Sequence, residues 1–370
     1  MQQTRAVALS LLAMLIVFFV LFLFAEVMVR GFALFPGPRV TAHPLLGSVM
    51  IPGATLRLRT PEFDTLTTVN SLGFPDAEHT PSKPAGVLRI AFLGDSFVEA
   101  AQVNMQDRFD KLIERSFREQ GLDVETLNFG VGGFGTDQEY LTYHAFARNF
   151  SPDVVVLFFV GNDLRNNIEA LEQSPNKPYF TIEEGVLSYR PPRFSYNVGL
   201  RQLLHKSFIL TELANTIVAS RKQAAMEHIT NLGVPPYFEA YLDHPPDEYE
   251  QARELTARLI TELADDVRED GATFVLVSVP LKQQVHPDSD GQFLEQYPAL
   301  KELRYNYSSV DAWLRGVATE DGMRFVELAQ PLKERCIRPC YVVDGHWNAE
   351  GIRRVAEVLQ PVMEVEVIGK

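Results

Sequence analysis

Four short blocks in this chain carry residue types that together can do nucleophilic acyl chemistry, and each stands where an apolar run stops. The first is Gly94-Asp95-Ser96, directly behind Leu88-Arg89-Ile90-Ala91-Phe92-Leu93. A serine at a strand-to-helix turn presents its hydroxyl at the sheet edge, and the glycine lets the backbone bend tightly. The hydroxyl is a weak nucleophile until a base takes its proton. By itself the tripeptide reads more readily as a simple turn or helix cap. The second block, Asn128-Phe129-Gly130-Val131-Gly132-Gly133, has glycines that let backbone N–H groups approach a ligand closely, as an oxyanion hole requires. A flexible loop explains it equally well. The third, Gly161-Asn162-Asp163, offers an amide donor for a developing oxyanion, with Asp163 as a cap of the following turn. The fourth is Asp344-Gly345-His346-Trp347-Asn348. Its imidazole can accept the serine proton and return it to the leaving group, while the carboxylate two residues earlier orients and stabilises the ring. Asn348 suits a helix N-cap and Glu350 a first turn, which would pin this loop to the helix it starts.

In this order the four blocks resemble the SGNH branch of the GDSL-type esterases, over roughly residues 88–360. The resemblance implies a three-layer α/β/α fold around a five-stranded parallel sheet. It implies Ser96 as nucleophile, His346 as base and Asp344 as its orienter. It also implies an oxyanion hole formed by the N–H of Ser96, the N–H of Gly133 (five residues after Asn128) and the Asn162 side chain. One block departs from the commonest pattern. The family's Asp-x-x-His would need an acid at position 343, which is Val, whereas Asp344-Gly345-His346-Trp347 is similar to the Asp-x-His-Trp arrangement of alginate O-acetyltransferase-like relatives. Acyl transfer to a sugar therefore stands beside hydrolysis, and a non-catalytic glycan-binding scaffold of the same fold stands behind both. None of these needs a metal or an organic cofactor.

The elements that must position these blocks follow a strand–helix rhythm from residue 88. Amphipathic spacing of Phe109, Leu112, Ile113 and Phe117 predicts a helix over 106–120, and further helices are expected over 137–149, 247–269, 306–319 and 349–360. Strands are expected at Val124–Asn128, Val154–Val160, Thr273–Val279 and Arg324–Leu328, the second almost wholly apolar, as in a sheet buried on both faces. Repeated units of this kind build a parallel sheet with helices on both sides, and functional residues then gather at the carboxyl ends of strands. Residues 165–245 break the rhythm and read as an insertion, with a hairpin around Glu184-Gly185 and a helix near 201–220. Ahead of the sheet, 31–85 reads as a linker and extended layer with a strand around Thr55–Arg59, so the hydrolase domain is placed at 86–362.

The first 30 residues carry a different signal. From Ala6 to Ala25 there are 20 residues without a charge, about 30 Å as a helix and so the thickness of a bilayer core. A cleaved signal peptide usually has a shorter apolar core and a small-residue cleavage site. Here the run passes into Glu26-Val27-Met28-Val29-Arg30 without one, which favours an anchor that exports the chain behind it to the extracytoplasmic, periplasmic side. Arg5 before the span and Arg30 and Arg39 after it leave the positive-inside rule ambiguous. The phenylalanine-proline cluster Phe35-Pro36-Gly37-Pro38 should end the helix. Cys336 and Cys340 are the two cysteines of the chain; outside the cytoplasm they would pair, otherwise they are reduced and buried.

A formal net charge of −14 with no basic stripe argues against nucleic-acid binding, leaving an acylated small molecule, glycan or lipid as the partner and the membrane as the anchor's. The remaining histidines lack metal-binding spacing, and two thiols do not complete a zinc site. Glu99 reads as a solvated helix-start residue rather than a pocket residue. Arg165 and Asn166 read as loop solvation and capping rather than substrate contacts. Tyr179, Phe180, Tyr189 and Tyr196 read as the core of a small subdomain rather than a wall for sugar stacking.

Overall fold

The computed structural model describes residues 2–31, 39–193, 207–211, 213, 216 and 232–368. The expected helix near 201–220 falls largely outside these residues, as do Tyr196 and the Phe35–Pro38 cluster. Two antiparallel hairpins, β1 (Val40–His43) with β2 (Gly47–Met50) and β3 (Thr55–Arg59) with β4 (Asp64–Thr68), precede the first long strand, β5 (Leu88–Gly94). Next come β6 (Val124–Gly130) and β7 (Val154–Phe159). The insertion carries a hairpin of β8 (Tyr179–Glu183) and β9 (Val186–Arg190). Its two-residue turn places Glu184 at φ 53° and Gly185 at φ 81°, the left-handed pair that matches the twist of flanking strands. Last are β10 (Thr273–Ser278) and β11 (Arg324–Glu327), which close a five-stranded parallel sheet ordered β11-β10-β7-β5-β6.

Strand periodicity divides the apolar residues between two cores. Ile90, Phe92, Val154, Val156, Phe158, Val275 and Val277 face the helices Phe109–Glu119 and Ala349–Ile368, whose Ile113, Phe117, Val355 and Leu359 are buried against them. Ala91, Leu93, Val155, Leu157, Phe274 and Leu276 face the other side, covered by the helices Thr136–Ala145, Glu248–Glu269 and Ser309–Glu320. Burial on both faces is what makes these strands apolar without alternation. Each fully buried Leu, Ile or Phe contributes about 1.5–3 kcal/mol relative to an exposed one, so the sheet is a stiff platform for whatever leaves its edge.

The register sets that edge. Gly94 pairs with Gly130 and Leu93 with Leu157, so the first two blocks leave the sheet level with one another and the third follows just beyond. Because β6 is an edge strand, its outward N–H groups need other partners. Asp76 supplies one by accepting the Asn128 N–H at 2.8 Å, and the same carboxylate meets Lys111 at 2.9 Å, His79 at 3.3 Å and Arg108 at 3.4 Å. Asp76, Arg108 and Asp110 are each no more than 1% exposed.

Several boundaries differ from the spacing-based expectation for local reasons. The helix expected from 106 begins at Phe109, after a separate 3-10 turn at Met105–Asp107, and the one expected to 149 ends at Ala145 before a second 3-10 turn at Ala147–Phe150. The last helix runs to Ile368 rather than 360, carrying Pro361 inside it, because Met363 and Val367 continue the buried stripe. At the other terminus, Gln2–Gly31 is one helix, and its segment Arg5–Val29 is, among the described residues, the one long and apolar enough to cross a membrane. Near its end Glu26 accepts Ser207 Oγ at 2.9 Å, Phe208 N–H at 2.7 Å and Ile209 N–H at 3.2 Å.

Candidate active site

The short helix Ser96–Glu99 starts on the residue expected to be nucleophilic, and its N-cap Asp95 accepts the Phe97 N–H at 3.0 Å. Opposite it, the loop before the last helix is built as a tight hairpin: Val342 N–H donates to His346 O at 2.8 Å, Asn348 N–H to Cys340 O at 2.9 Å, and Tyr341 bridges Trp347. Gly345 turns this loop at φ 94°, a conformation that favours glycine. Asn348 caps the helix by accepting the Gly351 N–H at 3.0 Å, and its amide also donates to Pro339 O. Cys336 and Cys340 are joined as a disulfide under the same loop. Phe97 lies against the imidazole, ring centroids 5.0 Å apart, and meets Trp347 edge-on at 4.7 Å.

This framework brings Ser96 Oγ to 2.8 Å from His346 Nε2, while His346 Nδ1 lies 2.9 Å from Asp344 Oδ1. The same carboxylate oxygen accepts the His346 backbone N–H at 3.1 Å, which fixes Asp344 to the ring it faces. Ser96, Gly133, Asn162, Asp344 and His346 all line one cavity of about 510 Å3. Gly133 adopts φ 82°, and a Cβ there would meet nothing within 4 Å, so its backbone fronts open space. Asn162 is placed differently from a free donor. Its Nδ2 contacts Asp95 Oδ2 at 3.3 Å and Asn166 Oδ1 at 3.4 Å, so a substrate oxygen would have to displace one of two long bonds. Burial drives the Asp95 carboxyl above its ordinary value, against the Phe97 N–H, the nearby His346 ring and the Asn162 amide. Burial likewise drives Asp163 well up, and repulsion from Asp95 adds to it. Asp163 Oδ2 accepts the Val160 N–H at 3.0 Å and stays out of the cavity wall.

Gly130 and Gly161 are two of the positions where glycine is required for space. A Cβ at Gly130 would lie 2.3 Å from Glu99 N and 2.5 Å from Val98 C, both backbone atoms. Gly130→Ala is expected to cost about 1–3 kcal/mol and lower turnover, because the glycine loop and the serine helix must separate. A wild-type thermal midpoint with wild-type kcat would refute that packing. At Gly161 a Cβ would meet Tyr241 Oη at 2.3 Å, which explains the glycine of the third block.

Asp344 is the most exposed of the three residues joined by these contacts. The Asp344 side chain is 63% exposed, so water competes for its contact with the imidazole. Asp344→Asn is expected to lower kcat by about 10²-fold, near the lower end of what positioned acid–base groups supply. A kcat within a factor of two of wild type would remove Asp344 from the site.

Two expectations need correction, those for Glu99 and Arg165. Glu99 is not solvated; at 5% exposure it accepts the Gly132 N–H at 2.8 Å and pairs with Arg39. Arg165 is buried, not loop solvation, because Glu239 and the Leu171 carbonyl hold its guanidinium. The aromatic wall of the cavity comes from Tyr237, Phe293 and Tyr297, while Tyr179 and Phe180 are buried and Tyr189 packs on Phe180. Among the described residues one trio has metal-ligand proximity, His286, Cys336 and Cys340. Its sulfurs are spent in the disulfide and His286 Nε2 accepts the Cys340 N–H, so the trio does not fit a metal.

Comparison with known proteins bears on this geometry. The model of the GDSL-like Lipase/Acylhydrolase family matches residues 92–297, the stretch holding Ser96, Gly133 and Asn162. A second, described as SGNH hydrolase-like domain, acetyltransferase AlgX, matches residues 237–367, the stretch holding Asp344 and His346. No curated protein matches the chain. Similar solved structures include TesA (13% identity, 75% of this chain and 99% of that one, TM-score 0.41). The acetyl xylan esterase AlAXEase is another (14%, 74% and 99%, TM-score 0.42). A third is a catalytic mutant of Axe2, an acetylxylan esterase from Geobacillus stearothermophilus (11%, 74% and 93%, TM-score 0.40).

Proposed function

The chain belongs to the GDSL-like lipase/acylhydrolase family, and from that premise we propose that it is a membrane-anchored serine esterase removing short acyl groups from glycans or glycolipids. One observation carries the reading: a serine hydroxyl 2.8 Å from an imidazole whose other nitrogen faces a carboxylate, inside a cavity that also exposes Gly133 and Asn162.

In the proposed sequence His346 Nε2 takes the Ser96 proton as Oγ attacks the ester carbonyl carbon. The negative oxygen is held by the N–H groups of Ser96 and Gly133 and by Asn162, which turns from Asn166 to reach it. The tetrahedral species expels the alcohol, which takes its proton from His346, and leaves an acyl group on Ser96. Water, deprotonated by His346, then releases the acid and restores the serine. Asp344 keeps the imidazole in the tautomer that both steps need.

The substrate class follows from the walls. Tyr237, Phe293 and Tyr297 offer ring faces, and Gln283, Gln292 and Gln296 offer amides, a mixture suited to a sugar ring with its hydroxyls rather than to a long alkyl chain. The Arg5–Val29 helix supports an anchor, and the Cys336–Cys340 disulfide supports an extracytoplasmic catalytic side. On this reading residues 1–30 anchor, 31–85 form the layer between and 86–362 catalyse.

A second reading, transfer of the acyl group to a sugar hydroxyl, is favoured by the match over residues 237–367 and by Asp344-Gly345-His346-Trp347. Full-length protein in detergent, given acetylated oligosaccharides with and without an unacetylated acceptor, separates the two by product analysis. Free acetate supports the esterase, acetylated acceptor the transferase. Neither product, together with no organophosphonate adduct on Ser96, overturns both.

A further inference from the structure

Glu99 occupies the wedge between the serine helix and the glycine loop. One carboxylate oxygen accepts the Gly132 N–H at 2.8 Å and the other pairs with the guanidinium of Arg39. The contact is close on every side. A Cβ at Gly132 would lie 2.9 Å from Glu99 Oε2 and 3.6 Å from Ser96 Cβ, so the loop passes directly over the nucleophile. On the far side of Gly133 its carbonyl accepts the Asn166 amide at 3.4 Å. The Glu99 side chain is 6% exposed, and Arg39, whose carbonyl accepts the Ile51 N–H, is described eight residues beyond Gly31, where the apolar helix ends.

We propose that Glu99 is a positioning residue that aims the Gly133 amide by holding Gly132, and that Arg39 is its obligatory counter-charge. The proposal rests on the role given above to Ser96 and Gly133. Its physical content is electrostatic. A carboxylate is a strong, geometrically demanding acceptor and fixes the Gly132 peptide better than a neutral group. The same negative charge, a few ångströms from a developing oxyanion in a partly buried site, would oppose the transition state. Arg39 cancels that opposition while leaving the hydrogen bond intact. Arg39 thereby ties the chain that follows the apolar helix to the function of the site.

The test uses full-length protein in detergent and a neutral aryl acetate. Arg39→Ala is expected to lower kcat about tenfold with KM changed less than about twofold, since an uncompensated charge acts on the transition state rather than on the bound ester. Arg39→Lys, which keeps the charge, should stay near wild type. Adding Glu99→Gln to Arg39→Ala should recover most of the lost kcat, because the amide oxygen still accepts the Gly132 N–H and carries no charge. Thermal midpoints are recorded alongside, since a purely structural ion pair would move the midpoint and leave kcat per folded molecule unchanged. An unchanged kcat in Arg39→Ala, or no recovery in the double variant at a matched midpoint, overturns the proposal. If Arg39→Ala does not fold, Arg39→Gln against Arg39→Lys decides it: loss in the neutral variant alone supports it, and equal kcat overturns it. A wild type that neither turns over ester nor takes an organophosphonate on Ser96 overturns the underlying reading instead.

Discussion

Ser96→Ala is expected to cut ester turnover by about 10⁴-fold or more while leaving the thermal midpoint near that of wild type. The size follows from the division of labour at the cavity. On the proposed mechanism no acyl-enzyme forms without the hydroxyl, and what would remain is the residual stabilisation of a water attack by the amide donors. His346→Ala should fall to a similar level, and the double variant should fall little further, because in the proposed mechanism both residues, 2.8 Å apart, serve the same acyl-enzyme route. Stopped-flow measurement of aryl acetate hydrolysis reads both the burst and the steady rate. A Ser96→Ala enzyme that still shows a stoichiometric burst would mean that another residue carries the acyl group.

The second large effect is on stability, at a residue remote from the chemistry. Asp76→Ala is expected to destabilise the fold by about 3 kcal/mol or more, because it strips a buried counter-charge from Arg108 and Lys111 and leaves the edge-strand N–H of Asn128 unpaired. Burial alone would push the Asp76 carboxyl up, but Lys111, the hydrogen bond to His79 and the charge of Arg108 outweigh it and hold the group well below its ordinary value. A carboxyl depressed in the folded state contributes stability above its unfolded pKa, about 4, and that contribution is lost as the pH falls toward the folded value. Between about pH 5 and 3 the wild-type midpoint should therefore fall more steeply than that of Asp76→Asn. Parallel curves for the two proteins would show that Asp76 does not supply the acid sensitivity.

The sheet was legible because burial on both faces writes itself into the sequence as unbroken apolar runs such as Val154–Phe159. The four blocks were legible for a related reason: strand ends are where a chain must turn, so glycine and polar residues stand out behind apolar ones. What the sequence hid were partnerships across long separations. Glu99 lies three residues after Ser96, which suggested a solvated first turn, yet its burial depends on Arg39 and Gly132, which no local spacing reveals. Tyr237 stands far from Phe293 and Tyr297 in the chain, and only the way 236–241 and 290–297 fold over the sheet edge brings them to one cavity. Helix ends differ from the expected bounds by a few residues where a 3-10 turn stands in for the first or last α-turn.

The bond from Arg39 to Glu99 also sets a working radius. Eight residues of chain reach at most about 28 Å, so the proposed anchor, with Gly31 at the lipid boundary, would keep the Ser96 hydroxyl within roughly one protein diameter of it. An enzyme tethered in the proposed way would patrol a thin slab over the bilayer instead of the surrounding volume. Material carried on lipids, or threaded past the surface as it is made, enters that slab continuously, whereas freely diffusing polymer enters it only by chance.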